Sequence, residues 1–511
     1  MAVNFVDICI VGIPALLFYV LKTYTHARAV WEQFRAIPGR RALISEFSIL
    51  GKLTGEVKYV TPGWDKGWFE KHNDHKAYGW DVISSVSLWP APQGGLVAAD
   101  AHAIKTILSS RQRFPKPVHP YKVLRFYGDN IVTSEFDEWK RYRRIAAPAF
   151  NEKNKRLAFE ESVRAITSLY EGEWRGKQEI VVDDATRLML AMALMTISAA
   201  GFGYRINWED NETPPGHQMS FKQSIEIVAA RIFVRLLCPK WLFEWAPTEQ
   251  IREVRDAFSE FRSYLAELIN ERKFSNDKDE KRDLLSNLVS ANDELLGDGE
   301  QRLGEEELIG NALMFYLAGH DTSGYTLGFA LNMLAVHQDE QEALYQHIQG
   351  ILPDTRLPTY ADIPKLTRVT ATLYETLRMF PAAPVIPKYS AEDTSLVVGN
   401  QAGETTVLHV PAGTEINIDV PGLHYNPRYW EDPYAFRPER FLGEWNKDAF
   451  IPFSGGARAC IGRGFFETTS LALLTILIQH FKVEPHPKFS GEPFEKLKER
   501  YSQGKSILTL M

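Results

Sequence analysis

Phe453-Ser454-Gly455-Gly456-Ala457-Arg458-Ala459-Cys460-Ile461-Gly462 holds one of only three cysteines in a chain of 511 residues. Two glycines precede the cysteine and a third follows it. Glycine is used where the backbone takes positive φ or approaches another group closely. The stretch therefore reads as a tight loop that presents a thiol and then feeds the apolar run Gly464-Phe465-Phe466. Arg458 lies two residues before Cys460, and Arg463 three after it. Cationic surroundings and loop amides favour the thiolate, which is the form that binds metal. No second Cys or His lies close by, so the pattern does not suit a tetrahedral zinc site.

A lone thiolate in a shaped loop suits one axial position on a haem iron. A buried, inert cysteine in a glycine turn is the plainer alternative. The spacing F-x-x-G-x-R-x-C-x-G resembles the haem-binding signature of the cytochrome P-450 superfamily, the haem-thiolate monooxygenases. Every fixed position of that pattern is filled here. The resemblance implies that Cys460 is the axial ligand of the iron of haem b, with Phe453 and Arg458 as further contacts of the cofactor.

Composition sets broad bounds. The chain is 45% hydrophobic, 24% charged and 12% aromatic, which is ordinary for a globular protein. Its net charge of −7 argues against nucleic acid as a partner. Cys9, Cys238 and Cys460 are too few and too scattered for a disulfide framework, and suit a reducing compartment. Repeats and low-complexity segments are absent from the sequence.

Val3 to Leu21 is nearly all apolar, broken by Asn4, Asp7 and Pro14. That is close to the roughly 20 residues that span a bilayer. No Lys or Arg precedes the run, whereas Lys22, Arg28, Arg35, Arg40 and Arg41 follow it. This lacks the basic start of a cleaved signal peptide. The positive-inside rule then leaves the body of the protein in the cytosol. A buried core helix is the competing reading. Ile37-Pro38-Gly39 reads as a hinge. The expected organisation is an anchor over 1–30, a basic Pro/Gly hinge over 31–44, and a catalytic domain over 45–511. Asn211-Glu212-Thr213 matches a glycosylation acceptor. With the body cytosolic it should stay unmodified.

Short β-type runs such as Val57-Lys58-Tyr59-Val60 predict a small sheet near the N-terminus. Phe114 to Ile131 is long, aromatic and irregular, as functional loops often are. In Trp139-Lys140-Arg141-Tyr142-Arg143-Arg144 the Trp and Arg four apart share a helix face, and arginine suits paired bonds to a carboxylate. Lys140 and Arg144 form a separate stripe, either a solvated face or a docking patch for an acidic redox partner. From about 155 to 290 the periodicity is helical, with Leu236 to Phe243 apolar and Glu271 to Asp283 a charged surface loop. Glu305 to Val336 reads as one long helix. A glycine inside it, Gly319, costs about 1 kcal/mol and needs a packing or functional reason. The polar pair Asp321-Thr322 in an apolar helix needs partners or water. Glu375 and Arg378 share another helix face. Pro381 to Lys388 reads as an apolar loop ending in a cation. Ser506 to Met511 reads as a strand that ends a hairpin.

Four motifs in order extend the resemblance over nearly the whole chain: W-x-x-x-R, A-G-x-D-T, E-x-x-R with Pro438-Glu439-Arg440, and the Cys loop. They imply a mainly α fold with smaller β-sheets, the cytochrome P-450 fold, with haem between the long helix and the Cys loop. By resemblance, Trp139, Arg143 and Lys388 hold haem propionates, though Lys388 stands where an arginine is usual and offers only a point charge. Thr322 hydrogen-bonds the oxygen being activated and Asp321 helps deliver protons. His320 fills a variable place and is a packing or groove residue, not an iron ligand. Glu375, Arg378 and Arg440 form a buried network. Phe126, Tyr127, Phe315, Ala318, Val385 and Ile386 are candidates for the substrate pocket, which suggests something lipophilic.

The implied reaction inserts one oxygen atom into a substrate C–H bond, using O2 and NADPH and releasing water. The anchor, and the absence of a flavin or ferredoxin module, imply a separate NADPH-cytochrome P-450 reductase, with cytochrome b5 as a further partner. They also place the protein on the endoplasmic reticulum membrane. Loop style resembles fungal members. A sterol or triterpenoid of secondary metabolism is the first expectation for the substrate, and fatty acids, alkanes or aromatic xenobiotics are alternatives. Rivals from other classes are a haem-thiolate isomerase or dehydratase that needs no external electrons, and a non-catalytic haem sensor.

Overall fold

Every strand of the described chain falls in one of two units. The structure, a computed structural model, describes residues 5–46, 48–63, 66–208, 212–274, 283–294, 302–489 and 491–502. It is mainly helical with small sheets. The first unit comprises Met1–Lys116, Ala383–Ala435 and Asn446–Ala459. It contains α1 (Phe5–Phe34), β1 (Gly39–Ile44), β2 (Val82–Trp89), β3 (Gln93–Ala98), α2 (Ala101–Ser109), β4 (Val385–Tyr389), β5 (Thr394–Gly399), β6 (Thr405–Val410) and β7 (Glu415–Asp419). The main sheet runs β1-β2-β3-β7-β4, and β5 pairs with β6 as a separate hairpin. β2 and β3 are antiparallel, and so are β4 and β7; β1 lies parallel to β2 and β3 to β7. Ile83, Leu96, Ile416 and Ile418 are buried in its core.

The stretch 31–44 carries regular structure: Phe34 is buried at the end of α1, and Arg41 donates to the Phe34 and Ile37 carbonyls before β1 pairs with β2. Val57-Lys58-Tyr59-Val60 is a turn closed by a single bridge between Val57 and Thr61, not a strand, with Tyr59 at φ 64°. Part of the run read as a loop over 381–388 is strand β4. Its Val, Ile and Tyr favour a strand, and its proline is tolerated because β4 is an edge strand.

The second unit comprises Pro117–Ala382, Phe436–Trp445 and Cys460–Met511, and its described part is helical. Its main helices are α3 (Phe136–Ala146), α4 (Glu152–Glu171), α5 (Ala185–Phe202), α6 (Phe221–Ala230), α7 (Ile232–Leu237), α8 (Lys240–Trp245), α9 (Glu249–Phe274), α10 (Glu305–Val336), α11 (Thr367–Met379) and α12 (Arg463–His480). Short polar side chains start several of them. Asn151, Asp184 and Ser220 each accept an amide of the first turn, which otherwise lacks an intrahelical partner. α10 begins with Glu305, Glu306 and Glu307, and Glu307 accepts the Gly304 amide at 2.9 Å.

α10 crosses α5 along a seam of glycines. A Cβ on Gly319 would lie 3.0 Å from Ile197 Cδ1. On Gly324 it would lie 2.8 Å from Leu190 Cα, and on Gly328 2.9 Å from Thr186 Cα. Gly319 thus has a packing reason, since the Ile197 side chain of α5 fills the space beside it, while at Gly324 and Gly328 the main chain of α5 itself comes close. α5 is long and apolar enough to cross a membrane, but 67% of it is buried, as in a core helix. The region read as a charged surface loop is helical as far as Phe274, and 275–282 lie outside the described residues. So do Asn211 and the C-terminal strand expected over 506–511.

Candidate active site

Two residues with left-handed backbone turn the Cys loop, Ser454 at φ 58° and Gly456 at φ 62°. A Cβ on Gly456 would fall 2.1 Å from the Leu108 carbonyl of α2, so this position has neither the room nor the backbone for another residue. The chain then passes through a 3-10 turn, Gly456–Arg458, and reaches Cys460 just ahead of α12. Phe453 and Arg458 are half-buried.

Cys460 is half-buried by exposed area, yet its sulfur lies deep enough for burial to dominate its titration. Burial pushes the thiol up; the amides of Gly462 and Arg463 and the guanidinium groups of Arg143 and Arg463 pull it down, and burial wins. The loop's amides and cations thus favour the thiolate as expected, against the opposing effect of burial, and a bound metal ion would favour it further.

Trp139 is buried on α3, and Arg143 lies half-buried one turn further on. Burial lowers the Arg143 guanidinium, opposed by Cys460. Beside them Arg141 pairs with Glu307, and the Tyr142 hydroxyl donates to the same carboxylate at 2.5 Å. One carboxylate thus fastens α3 to the start of α10. A run of three acids before an apolar helix is a legible start signal, but its cross-helix partners are not readable from sequence. Phe150 joins the loop to α10. Its Cε1 would lie 3.9 Å from a Cβ on Gly462, and its ring meets that of Phe315 edge-on at 5.5 Å.

α10 is buried from Leu308 to Leu317 and then opens. Ala318 is exposed, and Gly319, Asp321 and Thr322 are half-buried, before burial resumes at Ser323. The Thr322 hydroxyl donates to the Ala318 carbonyl at 2.7 Å. Its oxygen keeps lone pairs with which to accept. His320 is buried, with Nδ1 2.9 Å from Asp321 Oδ1 but outside hydrogen-bonding angles. Tyr325, one turn on, is raised by burial and then by the charges of Asp321 and Asp184.

Glu375 and Arg378 are fully buried on α11. Arg378 donates to both carboxylate oxygens, at 2.7 and 2.9 Å. The Arg437 amide at 2.9 Å and Arg440 Nε at 3.3 Å complete the set. Phe126 and Tyr127 both pack on Phe258 of α9, and the Tyr127 hydroxyl donates to the Phe258 carbonyl at 2.6 Å. Cys460, Trp139, Arg143, Asp321, Thr322, Phe126, Tyr127, Phe315 and Ala318 all belong to the second unit. Lys388, Val385 and Ile386 stand on β4 of the first, Lys388 buried and the other two half-buried.

The donor set decides what could bind. Among the described residues no group of three or more His, Cys, Asp or Glu could hold a metal ion. A single sulfur that receives two amides beside Arg143 fits an iron whose other ligands come from a macrocycle, with guanidinium and indole groups for its acidic arms.

Comparison with known proteins agrees. The family model "Cytochrome P450" matches residues 71–506. Cytochrome P450 monooxygenase 124 of Postia placenta is 43% identical over 99% of this chain and 97% of its own length. A bifunctional cytochrome P450/NADPH–P450 reductase of Bacillus subtilis is 29% identical over 78% of this chain and 36% of its own. The crystal structure of the cytochrome P450DA heme domain superposes with a TM-score of 0.68 at 24% identity. It covers 86% of this chain and 91% of that one.

Proposed function

Since the chain belongs to the cytochrome P450 family and is a monooxygenase by class, we propose that it hydroxylates a lipophilic substrate, a sterol or triterpenoid first, with electrons from a separate NADPH reductase. The observation that carries this is the acid-hydroxyl pair at the one opening in α10 between Leu308 and Ser323, beside Phe315.

Haem is the cofactor the family implies, and when bound it supplies the activation of dioxygen. Cys460 would ligate it, with Trp139 and Arg143 on its acidic arms. Phe453, Arg458 and Lys388 are proposed as further residues that contact it. The protein's own work is proton handling and exclusion of water. Thr322 holds a proton at Oγ1, donated at rest to the Ala318 carbonyl. It can accept a hydrogen bond from a protonated oxygen and pass a proton on. Asp321, next in line, is the acid that restores it. Phe150 and Phe315 keep that space apolar.

Thr322→Ala tests the assignment. Haem content and reduction should stay normal, because neither uses the hydroxyl. NADPH should still be consumed, while hydrogen peroxide rises and product falls, by up to about 10²-fold for loss of a proton-transfer group. Unchanged coupling of NADPH to product would show that Thr322 does not handle the proton. Product without NADPH would move the protein to the isomerase or dehydratase class.

The N-terminal helix is proposed as the membrane anchor. Leu17, Phe18, Tyr19, Val20 and Leu21 are 54–70% exposed, which a core helix would not leave open. The endoplasmic reticulum is the proposed location, and Lys140 and Arg144, both exposed on α3, are the proposed face toward an acidic redox partner. Removing residues 1–30 should move the protein partly from membranes to the soluble fraction with its haem retained. Complete loss of folded haem protein would favour a core helix instead.

A further inference from the structure

Arg235 stands out among its neighbours. It lies half-buried on α7, with its guanidinium carbon 4.7 Å from the Phe243 ring centroid of α8 and 5.8 Å from that of Phe126. Phe126 and Phe243 each also meet Phe258 of α9, at 5.3 and 6.3 Å. Three nearby arginines each hold a carboxylate. Arg231 pairs with Glu253, Arg255 with Asp256 at 2.8 Å, and Arg262 with Glu306. Among the described residues Arg235 has no carboxylate within ion-pair distance.

Aromatic rings take up a guanidinium by its faces and strip water from them, which leaves the N–H edge as its outlet. A half-buried cation without a counter-charge is costly, and a planar carboxylate that accepts two N–H bonds relieves that cost. Phe126, half-buried beside it, meanwhile suits contact with an apolar body attached to the acid.

We propose that Arg235 is a specificity residue that binds the carboxylate of a lipophilic acid, so that this protein prefers acid substrates over their neutral esters. The inference rests on the lipophilic-substrate reading above. Phe126 and Phe243 hold the guanidinium in place, and the apolar body of the ligand lies against the exposed part of Phe126.

Haem-loaded full-length protein is titrated with dodecanoic acid and its methyl ester, and with oleanolic acid and its methyl ester, following the haem absorption shift. The wild type should bind at least one acid about tenfold more tightly than its ester, a preference that shrinks as salt is raised. In Arg235→Gln the ratio should fall to about one, with ester affinity and haem content unchanged. Arg235→Lys should recover part of it, since it keeps the charge and loses the fork. An equal acid preference in the wild type and Arg235→Gln would overturn the proposal, as would equal binding of acid and ester by the wild type. If no acid or ester perturbs the haem, the lipophilic-substrate reading falls with it.

Discussion

Cys460→Ala should abolish monooxygenase turnover and the thiolate-type absorption of the reduced carbon-monoxide complex. The geometry is specific on this point. Cys460 receives the first amides of α12 and faces Arg143, whereas Cys238 lies at the end of α7. Burial pushes the thiol up, and a bound metal ion would favour the thiolate. On the proposed contacts, Trp139 and Arg143 would still attract the acidic arms of haem, so some haem would load without the sulfur. Haem content should therefore drop while the fold, read by circular dichroism, survives. Retention of the thiolate-type band in the alanine variant would refute Cys460 as ligand.

Glu375→Gln should be the most damaging substitution for stability. Glu375 neutralises Arg378, and both are fully buried. The same carboxylate also takes the Arg437 amide and Arg440 Nε. Removing its charge leaves a guanidinium in the interior without its counter-ion, at a cost of about 3–5 kcal/mol. Domains of ordinary stability have about 5–15 kcal/mol in hand. Much of the expressed variant should thus be insoluble or free of haem, and what remains should melt several degrees lower. Glu375→Asp should do less harm, because it keeps the charge and loses reach. A glutamine variant with wild-type yield and melting temperature would show that the network contributes little.

Much of this architecture is legible in the chain. Glu305 to Val336 is found as a single helix with the bounds its periodicity suggests, because three acids open it and an apolar pattern runs unbroken to the end. The spacing of Glu375 and Arg378 places them on one face, and the structure joins them. The fold class followed from motif order. What escaped was set by tertiary partners. Three prolines from Pro381 to Pro387 read as a loop, yet edge pairing with β7 makes a strand of the last part. Val57 to Val60 has strand-type residues, but it meets the end of β1 only where the Leu43 and Ile44 amides donate to the Tyr59 and Val60 carbonyls. At Cys460 the sequence shows the nearby cations and hides the burial that opposes them. Arg235 carries no sequence signal at all. Only its lack of a carboxylate, beside arginines that have one, singles it out.

The glycine seam between α5 and α10 has a mechanical consequence. Where side chains separate two helices, rotamer changes can absorb a displacement. At Gly324 and Gly328 the main-chain atoms Leu190 Cα and Thr186 Cα instead come within reach of a Cβ, so less compliance remains there. Asp321 and Thr322 immediately precede this stretch of α10. The residues proposed to handle protons thus sit beside a stiff crossing, and adaptation to ligands of different shape is left to side chains around it.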